Sequence, residues 1–118
     1  MLRRKAGMTL EEFQTYWREM HAPLVKKFAP KIGMVRYIQV HTRPPAVPRE
    51  DPLRGPMLEP FDGVAEIWID SSKATGTDEE RREAARALAE DEANFIDFAS
   101  STMTRGEELY MIGVEMPV

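Results

Sequence analysis

The chain has no cysteine. Disulfides, thiolate metal sites and cysteine nucleophiles are therefore excluded. It has two histidines, His21 and His41, with no carboxylates at metal-ligand spacing between them, so no metal site is expected. It also lacks a glycine-rich phosphate loop and a serine-nucleophile motif, so neither a nucleotide cofactor nor a serine triad is expected. No apolar run reaches the ~18 residues of a membrane span, and no signal peptide is visible. These absences make the expected setting cytoplasmic, with no membrane contact. Charge of one sign is not concentrated either: sixteen Lys and Arg stand against twenty Asp and Glu, giving a net charge of −4. Arg3, Arg4 and Lys5 are too few for a nucleic-acid surface and read as a solvated strand end, so no nucleic-acid partner is expected.

What is present fits one domain spanning residues 1–118. A chain of this length buries roughly two-thirds of its unfolded surface, and a dimer would add apolar burial. Leu2 to Lys5 could end a strand, which Gly7 breaks. Thr9 with Glu12 three residues on forms a capping-box pattern. Leu10, Phe13, Trp17, Met20 and Leu24 then mark one helical face. Pro23 predicts a kink or break near His21-Ala22, followed by a short helical piece, Leu24 to Phe28, that runs to Pro30.

Met34 to His41 alternates as a strand, with Met34, Arg36, Ile38 and Val40 on one face and Val35, Tyr37, Gln39 and His41 on the other. Both faces carry polar residues, so alternation alone does not decide which one is inward. Six prolines between 43 and 60 make regular structure there unexpected and mark a loop insertion. Val64 to Asp70 is a second strand. A helix follows from Thr77 or Asp78, with Ala84, Leu88, Phe95 and Phe98 on its buried side. Leu109 to Val114 reads as a last strand. The resulting order, βαββαβ, is ferredoxin-like.

Several stretches together resemble the EthD family. They are Arg3-Arg4-Lys5-Ala6-Gly7-Met8-Thr9 with Glu11-Glu12-Phe13, then Tyr16-Trp17-Arg18-Glu19-Met20-His21-Ala22-Pro23-Leu24. Val35-Arg36-Tyr37-Ile38-Gln39-Val40-His41, Phe61-Asp62-Gly63-Val64-Ala65-Glu66-Ile67-Trp68 and Asp91-Glu92-Ala93-Asn94-Phe95 complete the set. The Trp-x-x-x-His-Ala-Pro-Leu core is its most specific part. The resemblance implies an α+β fold with a four-stranded antiparallel sheet and helices on one face. It also implies a homodimer in which two such sheets make a dimeric α+β barrel around a buried pocket. Members of that superfamily include cofactor-independent monooxygenases, polyketide cyclases, lactone isomerases, dehydratases and decarboxylases, and EthD proteins themselves are often classed loosely as oxidoreductases. Relatives carry further apolar residues ahead of the Leu2-Arg3-Arg4 stretch, so a short first strand and a weakened sheet centre are expected here.

His21 is the first candidate for chemistry, because an imidazole near neutrality suits proton transfer. A second role is open to it: its N–H could satisfy a backbone carbonyl freed by Pro23. His41 and Tyr37 could polarise a carbonyl or move a proton if their face lines the pocket. Otherwise His41 is a solvated strand end. Trp17 and Tyr16 could wall a flat substrate, with Trp17 equally readable as core. Gln39 and Arg36 complete the expected substrate-binding set. Asp91 falls on the apolar stripe, and the reading adopted is that the helix breaks there and Asp91 caps a second piece.

The expected function is a small cofactor-independent enzyme acting on a cyclic or aromatic, polyketide-like or degradation-pathway molecule. Isomerisation, cyclisation, dehydration, decarboxylation and oxidation all suit it. The alternative is a non-catalytic ligand-binding or accessory protein of an oxidative degradation pathway.

Overall fold

The computed structural model describes residues 1–43 and 50–113. The first helix, α1 (Leu10–Tyr16), starts at the predicted box. Glu12 N–H donates to Thr9 Oγ1 at 3.1 Å, and Thr9 N–H donates to Glu12 Oε1 at 2.9 Å. Trp17–His21 then forms one wide π-helical turn before α2 (Ala22–Ile32). Pro23 has no N–H to give, and the Ala22 N–H just ahead of it reaches five residues back to the Trp17 carbonyl. The backbone stays helical at His21 (φ −78°, ψ −44°) and at Ala22 (φ −58°, ψ −41°). The expected break is thus absorbed as an extra residue in the turn, and the helix continues.

The second helix also passes Pro30, the expected stop, and ends at Gly33 with φ 76°. Its last carbonyls are satisfied from outside, by Thr75 N–H on Pro30 O at 3.0 Å and Gly76 N–H on Lys31 O at 3.2 Å. Glycine is required at 33 twice over. The left-handed backbone favours it, and a Cβ there would sit 2.4 Å from Asp70 O.

Strand β1 (Met34–His41) pairs antiparallel with β4 (Gly63–Ile69), placing Tyr37 opposite Ile67, Gln39 opposite Ala65 and His41 opposite Gly63. Tyr37, Gln39 and His41 face the helices, where Trp17 lies. Arg36, Ile38 and Val40 face away, beside Trp68, Glu66 and Val64. The tertiary structure thereby settles the question that alternation left open.

Helix α3 (Asp78–Glu92) starts at a second capping box, Thr77 with Glu80, and Lys31 Nζ ties α2 to it through Glu80 at 2.9 Å. The helix ends at Glu92, one residue past Asp91 and close to the expected break, so Phe95 and Phe98 lie beyond it, but Asp91 caps no second piece, and Asp97 caps the short turn Phe98–Ser100. Asp91 is its penultimate residue and carries a partner that offsets the cost of an acid on the inner stripe.

Two further expectations need correction. Among the described residues the main sheet has two strands, not four. Leu2 bridges only to Gly63 and Arg4 only to Ile96, so the first stretch touches one end of β4 and leaves no continuous edge for a last strand. Residues 109–113 of the expected Leu109–Val114 strand are irregular, and Val114 lies outside the described residues. In the proline-rich loop, residues 44–49 lie outside the described set. Beyond them β2 (Glu50–Asp51) and β3 (Gly55–Pro56) form a minimal ladder where no regular structure was expected. The Asp51 carboxylate turns that corner by accepting from the Leu53 and Arg54 N–H groups.

The core is aromatic. Phe13, Trp17, Phe95 and Ile96 are buried, with Leu2, Met8, Tyr16 and Ala65 packed around them. Phe13 lies 5.5 Å from Trp17 and 5.6 Å from Phe95, both tilted, a favourable geometry for ring quadrupoles. Gly63 makes room for this packing, since a Cβ there would meet the Trp17 ring at 2.5 Å.

Candidate functional site

The wide turn sets the site. It carries Trp17 and His21 inward together, 1% and 4% exposed, and such turns are frequent at functional sites. The last turn of α3 approaches from the other side. His21 Nδ1 lies 2.7 Å from Asp91 Oδ2, and His21 Nε2 lies 3.6 Å from Glu92 Oε2. The ring also packs on Phe95 at 5.1 Å. Tyr16 donates its hydroxyl proton to Asp91 Oδ1 at 2.7 Å, and Asn94 Nδ2 donates to Tyr16 Oη at 3.1 Å. The nitrogens of His21 meet the Asp91 and Glu92 carboxylates and not the carbonyls near Pro23.

The electrostatics follow from these contacts. Burial pushes Asp91 up, but hydrogen bonds from Tyr16 and His21, with the His21 charge and Asn94, outweigh it and hold the carboxyl below its usual range. Donating to that carboxylate, with some burial, raises the Tyr16 hydroxyl. Glu92 is shifted the other way. Burial raises it, the Asp91 charge adds to that, and His21 offsets only part. Two adjacent acids are thus pushed apart, Asp91 below its ordinary value and Glu92 above it.

The sheet side supplies a second polar row. Gln39 Nε2 donates to Trp17 O at 3.0 Å and to Tyr37 Oη at 2.8 Å, while Gln39 Oε1 lies 2.8 Å from His41 Nε2. Trp17 Nε1–H also donates to Tyr37 Oη, at 3.2 Å. Burial raises the Tyr37 hydroxyl above its ordinary value against these two donors, and the Glu92 charge adds to the rise, which links the row to the His21 cluster. His41 stacks on Trp17 at 4.6 Å between ring centres. Burial lowers it, as do the charges of Arg43 and Arg18.

The fold therefore brings His21, Tyr16, Trp17, Tyr37, Gln39 and His41 together. Arg36 is not among them. It lies on the opposite sheet face, with its guanidinium 5.6 Å from the Trp68 ring centre. Trp17 is packed between Phe13 and His41, so the space expected as a buried pocket is filled at that point. Tyr16 instead borders an open groove of about 500 Å3, shared with Met8, Glu11, Glu12, Thr15, Glu19 and Met20. Glu92 and Asn94 were missed as site residues. Both follow Asp91 closely, and its place on an apolar stripe was the available signal. Among the described residues no group of three or more His, Asp and Glu side chains is arranged to hold a metal ion. No helix there is long and apolar enough to cross a membrane.

Fold and site together define a small α+β domain with a buried imidazole held between two partly exposed carboxylates. A family model, the EthD domain, matches residues 5–99. The chain belongs to the EthD domain family, which suggests a small protein of an oxidative degradation pathway. It has no match among curated proteins or among solved structures.

Proposed function

We propose that the chain is a cofactor-independent enzyme that moves a proton on a cyclic or aromatic substrate of a degradation or polyketide-like pathway. The observation that carries this is the His21 imidazole held at 2.7 Å by Asp91 with Glu92 at 3.6 Å from its other nitrogen. Asp91 orients the ring by accepting from Nδ1–H, which leaves Nε2 to exchange a proton with Glu92. His21 itself is covered, but the Glu92 side chain is 33% exposed, and through it substrate meets the pair. Tyr37 and His41 form the sheet-side wall. Such a pair supports isomerisation, cyclisation, dehydration or decarboxylation, because each needs only a positioned acid and base. Cofactor-free oxidation of an electron-rich phenolate is the close variant.

The reading includes a homodimer. A two-stranded sheet is at best marginal alone, and the face carrying Ile38, Val40, Val64 and Trp68 points away from the helices. A second copy against that face, with strands completing the four-stranded sheet, is the dimeric α+β barrel.

The test is a thermal-shift screen with hydroxylated bicyclic and tricyclic ketones, lactones and phenols, followed by product analysis. A true substrate raises the melting point and is turned over by wild type but not by His21→Ala or Glu92→Gln. A ligand that binds without turnover in any variant favours the second reading, a non-catalytic accessory protein.

A further inference from the structure

The contacts of the sheet-side row fix where its protons sit. Trp17 O can only accept, so the end of the Gln39 side chain at 3.0 Å from it is the NH2 group. The second amide hydrogen goes to Tyr37 Oη at 2.8 Å. The amide oxygen is then the atom facing His41 Nε2 at 2.8 Å. An amide oxygen cannot donate, so the proton of this contact sits on His41 Nε2. In the neutral ring Nδ1 is left as a bare lone pair. That atom is buried and, among the described residues, has no hydrogen-bond partner. An unfilled buried acceptor is uncommon in folded proteins.

We propose that Gln39 is a positioning residue that fixes His41 as the Nε2–H tautomer, leaving the buried Nδ1 as the bare acceptor of the ring. This assignment stands on the contacts of Gln39 and is independent of the function proposed above. Burial and the positive charges of Arg43 and Arg18 favour the neutral ring that this role requires. Tyr37 is fixed by the same amide. Its oxygen accepts from Gln39 and from Trp17, so its own proton points elsewhere and remains available as a donor. Gln39 thus sets one acceptor and one donor on the same sheet face.

The experiment is long-range proton–nitrogen correlation NMR of the full chain at neutral pH, without ligand. Wild type is expected to show His41 protonated at Nε2 and bare at Nδ1. Gln39→Glu keeps an oxygen toward His41 and is expected to keep the Nε2–H form. Gln39→Leu removes that acceptor and is expected to give mixed tautomers. Finding His41 protonated at Nδ1 in wild type, or unchanged in Gln39→Leu, overturns the positioning role without touching the acid–base reading of His21.

Discussion

Asp91 shows how one side chain changes meaning between chain and fold. In isolation it is an acid on an apolar stripe, and a helix break is the inexpensive explanation. In the fold it accepts from Tyr16 and His21 at 2.7 Å each. Replacing it with Asn keeps the size and removes the charge. Asp91→Asn is expected to cost about 1.5–3 kcal/mol, the range for hydrogen bonds to a charged group, as read by urea unfolding. If His21 transfers protons, the same change lowers turnover roughly 10²–10⁴-fold. Gly63 is a residue of the opposite kind, needed for what it lacks. Its added Cβ would meet both the Trp17 ring and, at 2.9 Å, the Val40 carbonyl, and a backbone atom cannot yield easily. Gly63→Ala is expected to destabilise by about 1–3 kcal/mol, the usual range for overpacking, measured as a lowered Tm.

At the scale of elements, α3 depends on its capping box and on a tie to α2. Glu80 accepts from Thr77 N–H and pairs with Lys31, and these contacts bring it from an ordinary 4.5 down to about 2. A carboxyl whose pKa is depressed on folding adds stability above its unfolded value and loses it as pH falls through the folded one. Asp91 shifts in the same direction. Melting temperature is therefore expected to fall between about pH 4.5 and pH 2, and less steeply in Glu80→Gln, which a pH series of thermal melts checks. Thr77→Ala is expected to cost about 1 kcal/mol by loss of the cap. The Thr9 box was legible in the chain, because a cap is a local pattern of a hydroxyl and an acid three residues apart, whereas the second helix start was read only to Thr77 or Asp78. The course of α2 was not legible. Proline predicts trouble locally, but a π-helical turn at Pro23 and outside donors from Thr75 and Gly76 near Pro30 satisfy the backbone from elsewhere.

For the whole molecule, the expected state is a dimer. Val40 is 50% exposed near one end of the sheet face that turns away from the helices, beside Val64. Sedimentation equilibrium is expected to return twice the 13.5 kDa chain mass. Val40→Asp should shift it toward the monomer with a concentration-dependent Tm in wild type only. A monomer at all concentrations would remove the barrel from the reading.

Residue order alone was enough for what is local or periodic: the strand Met34–His41, the cap at Thr9, the shared face of Tyr37, Gln39 and His41, and the resemblance to the EthD family. Hydrogen bonds and side-chain alternation within a few residues leave direct traces in residue order. Only the tertiary structure decided that this strand face turns toward Trp17, that α3 continues through Asp91, and that Glu92 joins His21. These depend on contacts between residues 20 to 70 positions apart, where the partner that makes a buried charge or an irregular turn tolerable comes from another element.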